Sequence, residues 1–153
     1  AKTGWTTGEL LSQLEKIKLQ PVYHFVSLLI GVNNQYRGQE IALFQKEFKL
    51  LLHKAIEFSG GHPDHVFVLS IPDWGVTPFA SGRNRPEIEK EIDAYNLICK
   101  EQALQSGAHF LNITSAQRIN SLSAAGLAPD GLHPSAAEYH EWATKLFQLA
   151  KTL

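Results

Sequence analysis

Along the chain, apolar runs of strand length alternate with stretches whose apolar positions recur every three or four residues. The runs cover residues 22–30, 65–71 and 108–113. Each predicts a buried parallel strand, because a strand covered on both faces reads as a near-continuous apolar run. The stretches between them predict amphipathic helices, since side chains on a helix return to one face every 3.6 residues. The first helix opens on the capping box Thr6-x-x-Glu9, sets Leu10, Leu14 and Ile17 on one face, and is ended by Pro21. A long second helix carries Ile41, Phe44, Phe48, Leu51, Leu52 and Ala55 and stops at Gly60-Gly61. A third starts at Pro86, turns Ile88, Ile92, Tyr95 and Ile98 inward, and stops at Gly107. Residues 114–129 predict one short helix. A final helix is capped by Ser135-x-x-Glu138 and has Tyr139, Trp142, Leu146 and Leu149 as its apolar stripe.

Strand–helix alternation without a linker or repeat predicts a single α/β domain over residues 1–153, with right-handed crossovers and a parallel sheet covered on both faces. Composition supports this, because 153 residues with 44% hydrophobic and 19% charged content can bury one sizeable core. A formal net charge of -1 argues against a nucleic-acid partner. Lys46, Lys49 and Lys54 lie among Glu47 and Glu57 and read as a solvated helix face. No apolar stretch reaches membrane-spanning length. The single cysteine, Cys99, excludes an internal disulfide and, beside Ile98, reads as a small buried hydrophobe.

Candidate chemistry sits at two places. Asp130-Gly131-Leu132-His133-Pro134-Ser135 holds an aspartate three residues before a histidine in a turn. That spacing lets a carboxylate hold one imidazole nitrogen and leave the other to act as a base. Gly31-Val32-Asn33-Asn34 follows the 22–30 run, at the carboxyl end of a strand, where open α/β sheets bind ligands. An asparagine amide there can donate to a developing oxyanion.

These two segments resemble the motifs of the SGNH hydrolases, the GDSL esterases and lipases. In that family a Gly-x-Asn-Asp segment ends a central strand and its Asn donates to the oxyanion. Gly31-Val32-Asn33-Asn34 fits, with Asn34 in place of Asp. The closing Asp-x-x-His motif of the family fits Asp130 and His133. Gly4, shortly before the first helix, resembles a glycine whose N–H completes the oxyanion hole, and Leu69-Ser70-Ile71-Pro72-Asp73-Trp74-Gly75 is similar to a family strand end. The resemblance implies a three-layer α/β/α, flavodoxin-like fold and a serine ester hydrolase acting on a small-molecule ester. His133 would be the base, Asp130 its support, and Asn33 with Gly4 the oxyanion hole. Asn34 and Trp74, on loops at strand carboxyl ends, are expected at the pocket mouth.

The Gly-Asp-Ser nucleophile motif of the family is not among these residues. None of the ten serines follows a strand in a tight elbow; Ser70 ends a strand, but Ile71-Pro72 after it offers no such turn. The resemblance therefore implies that the first two strands and the nucleophile lie upstream, so that the chain by itself is inactive. By the same analogy one edge of the 22–30 strand is left open. An open edge invites pairing, either in a homodimer or with a complementing N-terminal fragment. The alternative reading is a non-catalytic α/β ligand-binding module.

No cofactor or metal is expected. His62-x-x-His65 spans Pro63 in a helix-to-strand turn without a Cys or third ligand in view, and reads as solvent-exposed. His133 and His140 share no helix face at ligand spacing, and His24, His53 and His109 have no nearby chemical partner.

Overall fold

A computed structural model describes residues 2–151. The N-terminal capping box forms as expected, Thr6 accepting from the Glu9 N–H and the Glu9 carboxylate from the Thr6 N–H, and it opens helix α1 (Thr7–Leu14). That helix ends before Ile17, which is exposed.

Strand β1 is Val26–Leu28, β2 is Val66–Leu69 and β3 is His109–Leu111. They pair in parallel in the order β1-β2-β3, with Val26 beside Val66 and Val68 beside Phe110. All three are shorter than their apolar runs. At β1 the cause is visible: the Tyr23 N–H donates to the Phe58 carbonyl at 2.7 Å, and the two rings meet edge to face. The start of the run is thereby tied to a helix end instead of the sheet.

Between β1 and β2 lie a five-residue helix, α2 (Val32–Tyr36), where the sequence predicted only a loop, and the long α3 (Ile41–Phe58). The turn into α2 needs Gly31. Its φ is +130°, and a Cβ there would lie 2.6 Å from Ile71 and 2.8 Å from Phe44. Helix α4 (Arg85–Gln105) links β2 to β3, with Pro86 in its first turn. After β3 come α5 (Thr114–Asn120) and α6 (Ala136–Ala150), the latter capped by Ser135, which accepts from the Glu138 N–H.

Side-chain alternation along β2 sorts the molecule into layers. Val66 and Val68 face the main core with Phe44, Phe48, Leu51, Leu52, Ile92, Tyr95 and Cys99 of α3 and α4. Leu69 faces the opposite way, into a smaller cluster with Ile113 and Trp142 of α6. Phe67, on that second face, is covered by the rings of Phe25 and His109. The second face is incompletely roofed. Phe25 is 50% exposed and Leu29 39%. The expectation of a buried strand here is corrected accordingly: among the described residues β1 pairs with β2 alone, and Phe25 and Leu29 stay exposed.

Candidate active site

The carboxyl ends of the strands converge on three polar loops. After β2, Ser70 is buried, and its hydroxyl accepts from the Ile113 and Thr114 N–H groups at 2.8 and 3.1 Å and from the Thr114 hydroxyl at 2.7 Å. That oxygen is a staple between β2 and α5. The next residues are held as firmly. Asn96 pairs with both backbone groups of Ile71, and Gln117 with both of Asp73. The fully buried Asp73 carboxylate accepts from the Gly75 N–H at 2.7 Å and from the Arg118 guanidinium at 2.8 Å. A buried carboxylate is tolerable because it is paired and hydrogen-bonded on both oxygens. Arg118 also reaches Asp93 at 2.8 Å.

This clamp fixes Trp74. Its indole N–H donates to Gln35 of α2 at 2.6 Å, and Gln35 in turn donates to Glu91. Trp74, Tyr36 and Phe79 form an aromatic group with centroids 5.2–6.1 Å apart. Trp74 and Tyr36 line a cleft of about 350 Å³ with Gln35, Glu87, Ile88 and Glu91 among its walls. Asn33, Asp130 and His133 do not line that cleft.

At the end of β1, α2 grips the segment before α1. One N–H of the Asn33 amide donates to the Trp5 carbonyl at 3.1 Å, and Arg37 donates to the Gly4 carbonyl at 2.6 Å. Asn33 and Gly4 are thus brought together from positions 29 residues apart in the chain. The bond to Trp5 fixes the Asn33 amide and leaves its second N–H to donate elsewhere. Gly4 has φ +89°, a conformation glycine adopts without strain. Asn34 is placed elsewhere than the pocket mouth expected for it. It is fully buried, its carbonyl accepts from the Thr7 N–H, and its amide donates to the Thr7 hydroxyl at 2.6 Å and to Gln39 at 2.8 Å. Its polar atoms are spent on holding α1.

The third loop carries the acid–histidine pair. Residues 126–135 fold back on themselves, the Ala128 N–H donating to the His133 carbonyl and the Ser135 N–H to the Gly126 carbonyl. Gly131, at φ +67°, turns the chain, and its carbonyl accepts from the Phe79 N–H. One Asp130 oxygen accepts the N–H groups of Leu132 and His133, both at 3.0 Å. The other lies 2.6 Å from His133 Nδ1. The hydrogen bond from the His133 ring, then those from the two backbone N–H groups, hold the Asp130 carboxyl down at about 2. An ionised Asp130 keeps the proton on Nδ1, so Nε2 presents its lone pair outward and can accept a proton. Among the described residues, no serine hydroxyl donates to His133. Behind the loop, buried Glu138 accepts from the Trp142 indole and from Asn120, both at 2.7 Å.

Gln35, Arg37, Asn96, Gln117, Arg118 and Glu138 carry this architecture, and sequence reasoning did not single out their roles. The side chains of Gln35, Arg37 and Arg118 reach partners 25 or more residues away, and Asn96 and Gln117 reach Ile71 and Asp73 across 25 and 44 residues, beyond any local pattern.

The sequence matches the GDSL-like Lipase/Acylhydrolase family over residues 1–140. The chain belongs to that family. No curated protein sequence matches this GDSL-family chain significantly. Among solved structures it is similar to an acetylxylan esterase from Geobacillus stearothermophilus, at 19% identity and a TM-score of 0.73, over 96% of this chain and 68% of that one. It is equally similar to an alpha/beta hydrolase enzyme from the metagenome of Lake Arreo, at 18% identity and a TM-score of 0.73, over 97% and 69%. A lipase/acylhydrolase from Enterococcus faecalis matches at 19% identity with a TM-score of 0.66, over 98% and 73%. These likenesses show the fold, the parallel α/β architecture of the SGNH hydrolases. Among the described residues no helix is long and apolar enough to cross a membrane.

Proposed function

We propose that this GDSL-family chain is the larger part of a serine ester hydrolase that transfers an acyl group from a small-molecule ester to water. The observation carrying the reading is the 2.6 Å contact between Asp130 and His133 Nδ1, which leaves Nε2 as a free base. A serine Oγ supplied by a segment outside these residues attacks the ester carbonyl and gives its proton to His133 Nε2. Asp130 stabilises the imidazolium that forms. The tetrahedral oxyanion takes hydrogen bonds from the Asn33 amide and the Gly4 N–H, donors worth roughly a hundred- to a thousandfold in rate each. His133 then returns the proton to the departing alcohol, and water repeats the sequence on the acyl-enzyme.

The open edge of β1 and the exposed Phe25 and Leu29 support a site for the strand that brings the serine. Without that strand, the same edge is the place for two copies to pair. The acetylxylan esterase among the structural neighbours makes acetylated sugars the first substrates to try. The test is hydrolysis of p-nitrophenyl acetate and of acetylated xylooligosaccharide by this chain and by the protein extended upstream to the start of its gene, each beside its His133→Ala variant. Turnover by the extended protein that vanishes with His133 supports the reading. Turnover by the short chain would mean that one of its own serines is the nucleophile. Absence of turnover in both, with substrate still bound, favours a non-catalytic binding module.

A further inference from the structure

At the amino end of β2, opposite the strand ends that carry Asn33 and Trp74, His62, Asp64 and His65 bring one ligand atom each close together. Their donor atoms all lie within 4.8 Å of one another. The sequence offered only His62-x-x-His65. The fold adds Asp64 as a third donor.

The cause is the backbone. Pro63–His65 is a single 3₁₀ turn, with the His65 N–H donating to the His62 carbonyl at 3.1 Å. In a 3₁₀ turn residues three apart eclipse one another. The two imidazoles therefore stack, with centroids 5.0 Å apart and planes 25° apart. His65 Nε2 stands 3.9 Å from the Asp64 carboxylate.

Three contacts brace the turn. Ser59 donates its hydroxyl to the His62 carbonyl at 2.7 Å. Pro63 seats on Gly107, where a Cβ would come within 3.4 Å of its ring. His65 runs directly into Val66, which is fully buried in β2. The backbone of the site is thus set before an ion binds, and only side chains need to move.

We infer that His62, Asp64 and His65 form a binding site for a divalent transition-metal ion, with zinc as the representative ion. Two imidazoles and one carboxylate suit zinc, nickel or copper and disfavour magnesium and calcium, which take oxygen ligands. Tetrahedral coordination at ordinary zinc–ligand lengths puts donors roughly 3.3–3.5 Å apart. Rotation of exposed side chains closes the remaining gap, and water completes the shell. The site joins the end of α3 to the start of β2, so the bound ion stabilises the fold and takes no part in chemistry at His133.

The test uses zinc chloride alone on the chain as it stands. Calorimetry should show one site, weakened at least tenfold in His62→Ala and in His65→Ala and weakened less in Asp64→Asn, while His133→Ala binds as the parent does. Amide NMR shifts should fall on residues 59–66, the melting temperature should rise with zinc, and magnesium should do neither. His62 and Asp64 are exposed and His65 is half-buried outside the core, so the variants fold. No saturable heat up to millimolar zinc, or binding that survives His62→Ala/His65→Ala but is lost in His133→Ala, would overturn the assignment.

Discussion

Asp130 shows how much a single side chain is constrained by its neighbours. Its folded-state pKa of about 2 lies below the ordinary 3.8. A depressed acid pKa stabilises the fold fully above the unfolded value, and that contribution fades as pH falls from about 3.8 toward 2. Carbon NMR titration should find the Asp130 carboxyl midpoint near 2, and His133→Ala should move it up toward 3.8 because the largest stabilising bond is gone. In the active, extended protein Asp130→Asn should lower kcat by about four orders of magnitude, since a neutral partner no longer fixes the tautomer. Asn33→Ala should cost about a hundred- to a thousandfold in kcat with KM little changed, as expected of a donor used only in the transition state. Asn34→Ala differs in kind. It strands the Thr7 N–H in the interior and should lower stability by about 1–3 kcal/mol in a urea melt.

At the level of elements, helix ends set the site loops. The N-terminus of α6 is anchored by Ser135 and by Glu138 wedged between Trp142 and Asn120, and the acid–histidine turn leads straight into it. Loss of the cap in Ser135→Ala should cost about 1 kcal/mol, read from the midpoint of denaturation, and should raise amide exchange in the 126–135 loop. Cys99, in the middle of α4, is fully buried, and burial pushes its thiol pKa up. It should therefore ignore a disulfide reagent such as dithionitrobenzoate in the native protein and react once denaturant exposes it.

For the molecule as a whole, the outer edge of β1 has no strand partner among the described residues. Unpaired strand groups beside exposed Phe25 and Leu29, on a chain of net charge -1 that offers little repulsion between copies, favour association. Sedimentation of the isolated chain should give a mass above the 17.0 kDa monomer at tens of micromolar protein, and Phe25→Lys with Leu29→Lys should shift it back. A monomer whose β1 edge amides exchange freely at the same concentration would refute the pairing.

Local rules were enough for much of this protein. The capping box at Thr6, the N-cap at Ser135, stops at Gly60-Gly61 and Gly107, and the helical period through Phe44, Phe48 and Leu51 specify the helices, because each acts within one or two turns of chain. The Asp130–His133 contact was legible for the same reason, its members being three residues apart. Tertiary structure decided the rest. It brought Asn33 beside the Gly4 segment, turned Asn34 inward, stapled β2 to α5 through Ser70, and paired Asp73 with Arg118 across 45 residues. It also cut the 22–30 run to three strand residues, since a strand extends only as far as a neighbour offers hydrogen bonds, and Tyr23 found its acceptor on a helix instead. Periodicity reports which face of an element is apolar; which partner meets that face is settled only when elements distant in sequence share one core.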